Sequence, residues 1–154
     1  MFKVSFNDSS RKVFKEGRET TVILRGTVKL PEFWHSLPQS IMDWIANRKN
    51  LEVYENLVNN YLIIYSSGIS RCHKDDKYDS ILGERVAEGR AKLYIYRFFC
   101  TLCMKIERYY NKILFGTPIV DSGDGDCLMA DIKKYTDFCI REAHHLGELL
   151  KDKE

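Results

Sequence analysis

Hydrophobic and polar positions alternate at the start of the chain: Phe2, Val4 and Phe6 are separated by polar residues, the period of a half-buried strand. Asn7-Asp8-Ser9-Ser10 interrupts the alternation as a turn. Lys15-Glu16-Gly17-Arg18 reads as a hairpin connection into a run from Thr20 to Leu30 that is rich in β-branched residues around Gly26. Pro31 stops that run because it has no N–H to give a ladder. Residues 1–30 therefore predict a β-hairpin or sheet. Ser36 stands as an N-cap, with Pro38 in the first turn, for a short helix that presents Ile41, Trp44 and Ile45 on one face. Residues 51–67 fit two periods. Leu51, Tyr54, Val58, Tyr61, Leu62 and Tyr65 have helical spacing with Gly68 as a stop, yet YLIIYSSGIS also reads as a buried strand. The expectation is a helix or irregular segment followed by a strand from Tyr61 to Arg71, making 31–67 a helical or mixed insertion.

From Ser80 to Leu114 the period becomes that of one long helix, capped by Asp79. Gly116, Pro118 and the run Asp121-Ser-Gly-Asp-Gly-Asp126 predict a loop. Asp126 then caps a last helix, on which Leu128, Ile132, Tyr135, Cys139, Leu146 and Leu150 share a face. The predicted fold is a single α+β domain over 1–154, an N-terminal antiparallel sheet packed against a C-terminal hairpin of two long helices. Its parts are 1–30, 31–67, 68–114 (strand, turn and long helix) and 115–154 (loop and last helix).

Stepping about 100° per residue around the long helix separates three arcs. Leu82, Val86, Leu93, Cys100 and Met104 form one apolar face, and Ile95, Phe98, Leu102, Ile106, Tyr109 and Ile113 another. Within about 40° of Gly83, between the two faces, lie Gly83, Ala87, Arg90, Tyr94, Arg97, Thr101, Lys105, Arg108 and Lys112. Glu84, Glu88 and Glu107 point elsewhere. A helix with two apolar faces is packed on both sides, and its cations run down the strip that remains. Two readings fit the strip. It is a solvated seam whose charges are met by acids of the last helix, such as Glu142 or Asp131. Alternatively it is an anion site, in which Arg90 and Arg97 make forked contacts to phosphate, Tyr94 stacks on a base, and Lys105 and Arg108 extend the surface. Gly83 and Ala87 let another backbone approach, for packing or for a ligand.

Charge and composition narrow the function classes. The 154 residues carry 24 Lys and Arg against 22 Asp and Glu, a net charge of +2, so any attraction for anions must come from local clustering. No apolar run reaches the roughly 20 residues that span a bilayer, and the first residues lack the apolar core of a signal peptide, which predicts a cytoplasmic protein with no membrane partner. The five cysteines are then expected as reduced thiols. Cys100 and Cys103 form a CxxC, but inside an apolar helical stretch, where small buried side chains are the simpler reading than a zinc site with Cys127, Cys139 or His144.

Residues Gly68, Ser70, Cys72, Lys74, Asp76, Tyr78 and Asp79, followed by Gly83, Ala87, Arg90 and Ala91, resemble a pattern in small uncharacterised phage and prophage proteins: Gly-x-Ala-x-Cys-x-Pro-x-Asp-x-Phe-Asp, then Gly, Ala and Arg-Ala on the next helix. Ser70 replaces the usual Ala, Lys74 the Pro and Tyr78 the Phe. The resemblance covers 24 residues and leaves 31–60 and 115–154 outside. It implies a strand feeding an acidic turn and a helix packed across a sheet, somewhat like double-stranded-RNA-binding domains, with Cys72 buried, Asp76 and Asp79 holding turn and cap, and Tyr78 as a staple. It carries no established catalytic residue. It also implies an accessory or counter-defence protein, active in the host cytoplasm and binding an effector protein, a nucleic acid or a nucleotide signal, as a homo-oligomer.

Other chemistry is weaker. The acids of Asp121–Asp126 do not follow calcium-loop spacing, since the twelfth position is Ile132 where Glu is needed. Adjacent His144 and His145 face different sides of a helix. No nucleophile–base set or paired-carboxylate set can be assembled from spacing, and no catalytic residue, metal site or cofactor is predicted. Two rival functions remain: a protein-interaction module using exposed aromatics such as Trp34 and Trp44, which blocks or scaffolds a host or viral partner, and a metal-dependent nuclease using Asp75, Asp76 and Asp79.

Overall fold

The computed structural model describes residues 2–55, 60–113 and 122–151, apart from the side chains of 32–33, 52–55, 110–113 and 122–127. Strands β1 (Val4–Phe6), β2 (Lys12–Glu16), β3 (Glu19–Lys29), β4 (Leu51–Glu55) and β5 (Asn60–Arg71) make one antiparallel sheet. β3 is its centre. β5 runs along one side of it from Glu19↔Arg71 to Lys29↔Tyr61, and β4 pairs with the far side of β5. The other side of β3 is shared end to end by β1, through Val4↔Val28, and β2, through Val13↔Val22. The β2–β3 hairpin turns at Gly17, whose φ of +57° suits a residue without Cβ. Along β3, the run expected to be strand, burial alternates: Thr20, Val22, Leu24, Gly26 and Val28 are buried, and the residues between them are half-exposed.

Helix α1 (Gln39–Ala46) follows β3 in the chain; α2 (Ser80–Ile113) lies across the buried face of the sheet, and α3 (Ser122–Lys151) packs on α2. Gly89 of α2 meets Leu146 of α3, while Cys100 lies 3.4 Å from Thr136, so the two helices run antiparallel as predicted. Asp79 starts α2, its Oδ1 accepting the N–H groups of Ile81 (3.0 Å) and Leu82 (3.1 Å). The seat of α2 is built from small residues. A Cβ on Gly68 would fall 1.8 Å from the Ala87 carbonyl oxygen, and the buried Ser66 hydroxyl donates to the Ala91 carbonyl at 2.9 Å. Backbone touches backbone here, so the approach allowed by Ala87 is used by β5 rather than by a ligand. Gly83 likewise faces Thr20.

The main core joins the ring of Phe2 to Trp34, Phe99 and Tyr135. A smaller cluster of Val86, Leu93 and Leu146 fills the α2–α3 seam. The backbone of Phe2 is clamped by α3: its N–H donates to Asp131 (2.6 Å), and its carbonyl accepts from Lys134 (2.8 Å) and Tyr135 (2.6 Å). Burial pushes the Tyr135 phenol well above its usual range and keeps it a donor.

Several expectations are corrected. Ser36 is not a cap: Glu32–Ser36 form a 3-10 turn, and α1 begins after Pro38 with no side-chain cap. The turn buries Trp34 and Leu37, each worth about 1.5–3 kcal/mol, which outweighs the roughly 1 kcal/mol of a serine cap. Residues 51–55 are strand, not helix. Asn50 fixes that strand beside β5, its backbone carbonyl accepting from the Tyr65 N–H (2.9 Å) and its side-chain amide donating to the Tyr65 carbonyl (2.7 Å). Asp126 lies inside α3, which starts at Ser122 rather than after the acidic run. Cys72 is half-buried rather than buried, and the turn after it is held by Arg18, which donates to the carbonyls of His73 (2.6 Å) and Asp76 (2.8 Å).

Candidate functional site: a basic edge on the long helix

With one arc of α2 on the sheet and another on α3, its charged residues divide between two edges. On the β2 side, Glu84 accepts from Arg11 (2.7 Å) and pairs with Lys15 (3.2 Å); Glu88 pairs with Arg11 (3.3 Å) and Lys92 (3.4 Å). The hydrogen bond from Arg11 holds the Glu84 carboxyl below the usual carboxylate range, and the same bond raises Arg11. On this edge every cation named has a carboxylate partner.

The edge facing β5 and α1 carries Arg90, Tyr94, Arg97, Lys105 and Arg108. Arg90 donates to the backbone carbonyl of Ile69 (2.5 Å) and Tyr94 donates to the Asn50 side chain (3.4 Å). Arg97 borders a cleft of about 200 Å3 with Trp44, Arg48, Tyr94, Phe98 and Thr101. Lys105 and Arg108 border a neighbouring cleft of about 270 Å3 with Pro38, Ser40, Ile41 and Tyr109. The Lys105 ammonium lies over the Trp44 ring, 5.1 Å from its centroid, and the Arg48 guanidinium carbon lies over it at 4.7 Å. The indole itself stacks on Phe98, with centroids 5.3 Å apart and planes 5° from parallel. All five predicted residues thus fall on one edge. The Lys112 side chain lies outside the described residues.

No ion pair among the described residues involves Arg48, Arg90, Arg97, Lys105 or Arg108. The acids of α3 expected to meet them are placed elsewhere. Asp131 is buried beneath Phe2 and pairs with Lys134 at 3.1 Å, and a Glu142 oxygen lies beside Gly89. A carbonyl dipole and an aromatic face steady a cation without cancelling its charge. A cation–π contact at such a site contributes about 0.5–1 kcal/mol, so the field of this edge stays positive.

Arg48 is the functional candidate that sequence reasoning missed. Its signal was the spacing Trp44-x-x-x-Arg48, which carries a cation one turn beyond the ring at the end of α1. Trp34 is the opposite case. It was expected to be exposed, and it is 1% accessible in the core; Trp44 is half-buried. Neither is a free aromatic for a protein partner.

The remaining candidates have structural occupations. Asp79 caps α2, and Asp75 lies 3.3 Å from the His73 ring. Among the described residues, no group of three or more His, Cys, Asp or Glu side chains is placed to hold a metal ion. Burial pushes the Cys103 thiol up to about 12, so it is a poor source of thiolate, and Cys100 lies half-buried against α3. The Cys127 side chain and the carboxylates of Asp121–Asp126 lie outside the described residues. His144 approaches Glu148 at 3.6 Å, and His145 is exposed. No described helix is long and apolar enough to cross a membrane. Comparison with protein-family models, curated proteins and solved structures finds no match, so the reading of this edge rests on its own geometry and charge.

Proposed function

We propose that this protein is a non-catalytic accessory protein that holds a phosphate-bearing ligand, a nucleotide signal or a nucleic acid, on the basic edge of α2. One observation carries the reading: Arg48, Arg90, Arg97, Lys105 and Arg108 gather along one edge with no carboxylate paired to them among the described residues, while Glu84 and Glu88 of the same helix are paired on the other edge. Fixed cations without internal counter-ions are favourable for a multiply charged anion, and guanidinium groups suit phosphate oxygens in particular. The resemblance of residues 68–91 to phage and prophage proteins supports an accessory, counter-defence setting in the host cytoplasm. The ligand would then be a host signal or nucleic acid, and a homo-oligomer would repeat the edge.

A thermal-shift screen over cyclic nucleotides, single strands and duplexes tests the reading. A binder raises the melting temperature, and Arg97→Ala removes the rise. For an oligonucleotide, neutralising four phosphates gives a log–log salt slope of about −3. Absence of any shift across the screen at low salt would refute the proposal. A second reading, a protein-interaction module, is favoured by one feature: Phe14 and Ile69, 54% and 38% exposed, flank Thr21 on the sheet face turned away from the helices. Binding insensitive to salt and abolished by Phe14→Ser would move that surface ahead.

A further inference from the structure

We infer that Trp44 is a base-stacking platform, and that the ligand of the basic edge is a single-stranded nucleic acid rather than a free nucleotide or a duplex; the inference rests on the anion-binding reading above. The indole is held almost parallel to Phe98, so its orientation is set before any ligand arrives. Arg48 and Lys105 both rest over this ring and have no acidic partner among the described residues. They are parked cations: the ring holds them weakly, and phosphate oxygens offer each a stronger partner. When the two heads move to a sugar–phosphate backbone, the π-surface they leave is open to a neighbouring base, which stacks there without regard to its identity.

Size and length narrow the ligand further. The two clefts hold about 200 and 270 Å3, below the roughly 300–1,000 Å3 of sites that engulf a small molecule. A mononucleotide would lie on this surface without being enclosed. From Arg97 to Arg108 the helix rises about 16 Å, a stretch that several phosphates in line are needed to cover. Bases inside a duplex are already stacked on each other and offer Trp44 no free face.

The experiment is a titration of the whole chain with a fluorescein-labelled dT12 at low salt, reading anisotropy for binding and, with unlabelled dT12, intrinsic tryptophan emission for stacking. The chain has two tryptophans, and Trp34 is 1% accessible, so quenching by a base reports Trp44. Expected are saturable anisotropy, quenching that follows it, and at least about ten-fold weaker binding of the same sequence in a duplex. Trp44→Phe keeps an aromatic ring on Phe98; it should bind dT12 with its emission unchanged. Trp44→Leu should bind about ten-fold or more weakly. Anisotropy that rises without quenching, or with equal affinity for the duplex, overturns the platform and leaves the basic edge standing. No rise in anisotropy with dT12, alongside a thermal shift with a cyclic nucleotide, overturns the platform alone; no response to any of these probes overturns both.

Discussion

The two charged edges of α2 obey the same electrostatics and reach opposite outcomes. On the hairpin edge, two carboxylates face three cations from three places in the chain: Arg11 before β2, Lys15 in it and Lys92 one turn further along the helix. On the α1 edge, cations meet a backbone carbonyl, an indole and open clefts. A fold selected only for stability would place an acid among the second set, since like charges lower stability and one carboxylate would reverse the sign of the local interaction. The hairpin edge is therefore what charge does when it holds a fold together. On the function proposed above, the α1 edge is what it does when the counter-ion comes from elsewhere.

The largest expected effect removes both edges at once. Gly68→Ala places a Cβ 1.8 Å from the Ala87 carbonyl oxygen and 2.7 Å from the Ala91 nitrogen, which are backbone atoms that cannot rotate away. Helix α2 must lift from β5, and urea unfolding should show a loss of about 3 kcal/mol or more. A loss below about 1 kcal/mol would mean that the seat of α2, and with it the placement of both edges, is not as close as described. Next in size is Arg97→Glu. It should weaken binding of a phosphate polymer at least ten-fold and reduce the salt slope by about 0.7 for each phosphate that is no longer neutralised, while leaving the melting temperature unchanged or slightly raised. A lower melting temperature with unaltered binding would show that the α1 edge, too, serves the fold.

What could be read from the chain beforehand follows the same division. Local signals were legible: the Asp79 cap, the Gly17 turn, the β-branched run of β3 and the angular grouping of Arg90, Tyr94, Arg97, Lys105 and Arg108 each depend on a few neighbouring residues. What failed needed a distant partner. Nothing near Leu51 says that β5 will receive it as a strand, and nothing near Trp34 says that Phe2 will meet its ring. Arg48 joined the candidate site only once α1 was laid beside α2, because Tyr94 and Arg97, with which it borders a cleft, are far away in sequence. Asp131 misled for the converse reason. Helical spacing alone makes it an available acid, whereas the fold buries it against the Phe2 amide.

A smaller effect separates the edges by pH. In the folded protein Glu84 titrates below its ordinary range, so its pairing with Arg11 and Lys15 is fully present above the unfolded carboxyl pKa, about 4.3, and is lost as pH falls through the folded value. Glu84→Gln should lower stability at pH 7 by about 0.5–1 kcal/mol, a modest figure because the cluster is partly solvated. The difference between wild type and variant should shrink as pH drops below about 4. A difference that stays constant through this range would mean that carboxylate charge is not what Glu84 contributes. Binding to the α1 edge at neutral pH should be the same in both proteins.

The smallest expected effect is the sharpest test of whether placement or mere charge matters. Lys92 lies on α2 between Arg90 and Arg97 in sequence, yet it turns to the hairpin edge, pairs with Glu88 and rests 6.0 Å from the Phe6 ring centroid. Lys92→Ala removes one positive charge from the protein, as Arg97→Ala does. A half-buried i,i+4 helix pair of this kind is worth about 0.3–0.5 kcal/mol, and phosphate-polymer affinity should stay within about two-fold of wild type, the remainder being the weak long-range field screened over roughly 10 Å at 0.1 M salt. If Lys92→Ala instead weakened binding as much as Arg97→Ala, the polymer would be responding to net charge. The division of α2 into a paired edge and a receptive one would then have no functional meaning.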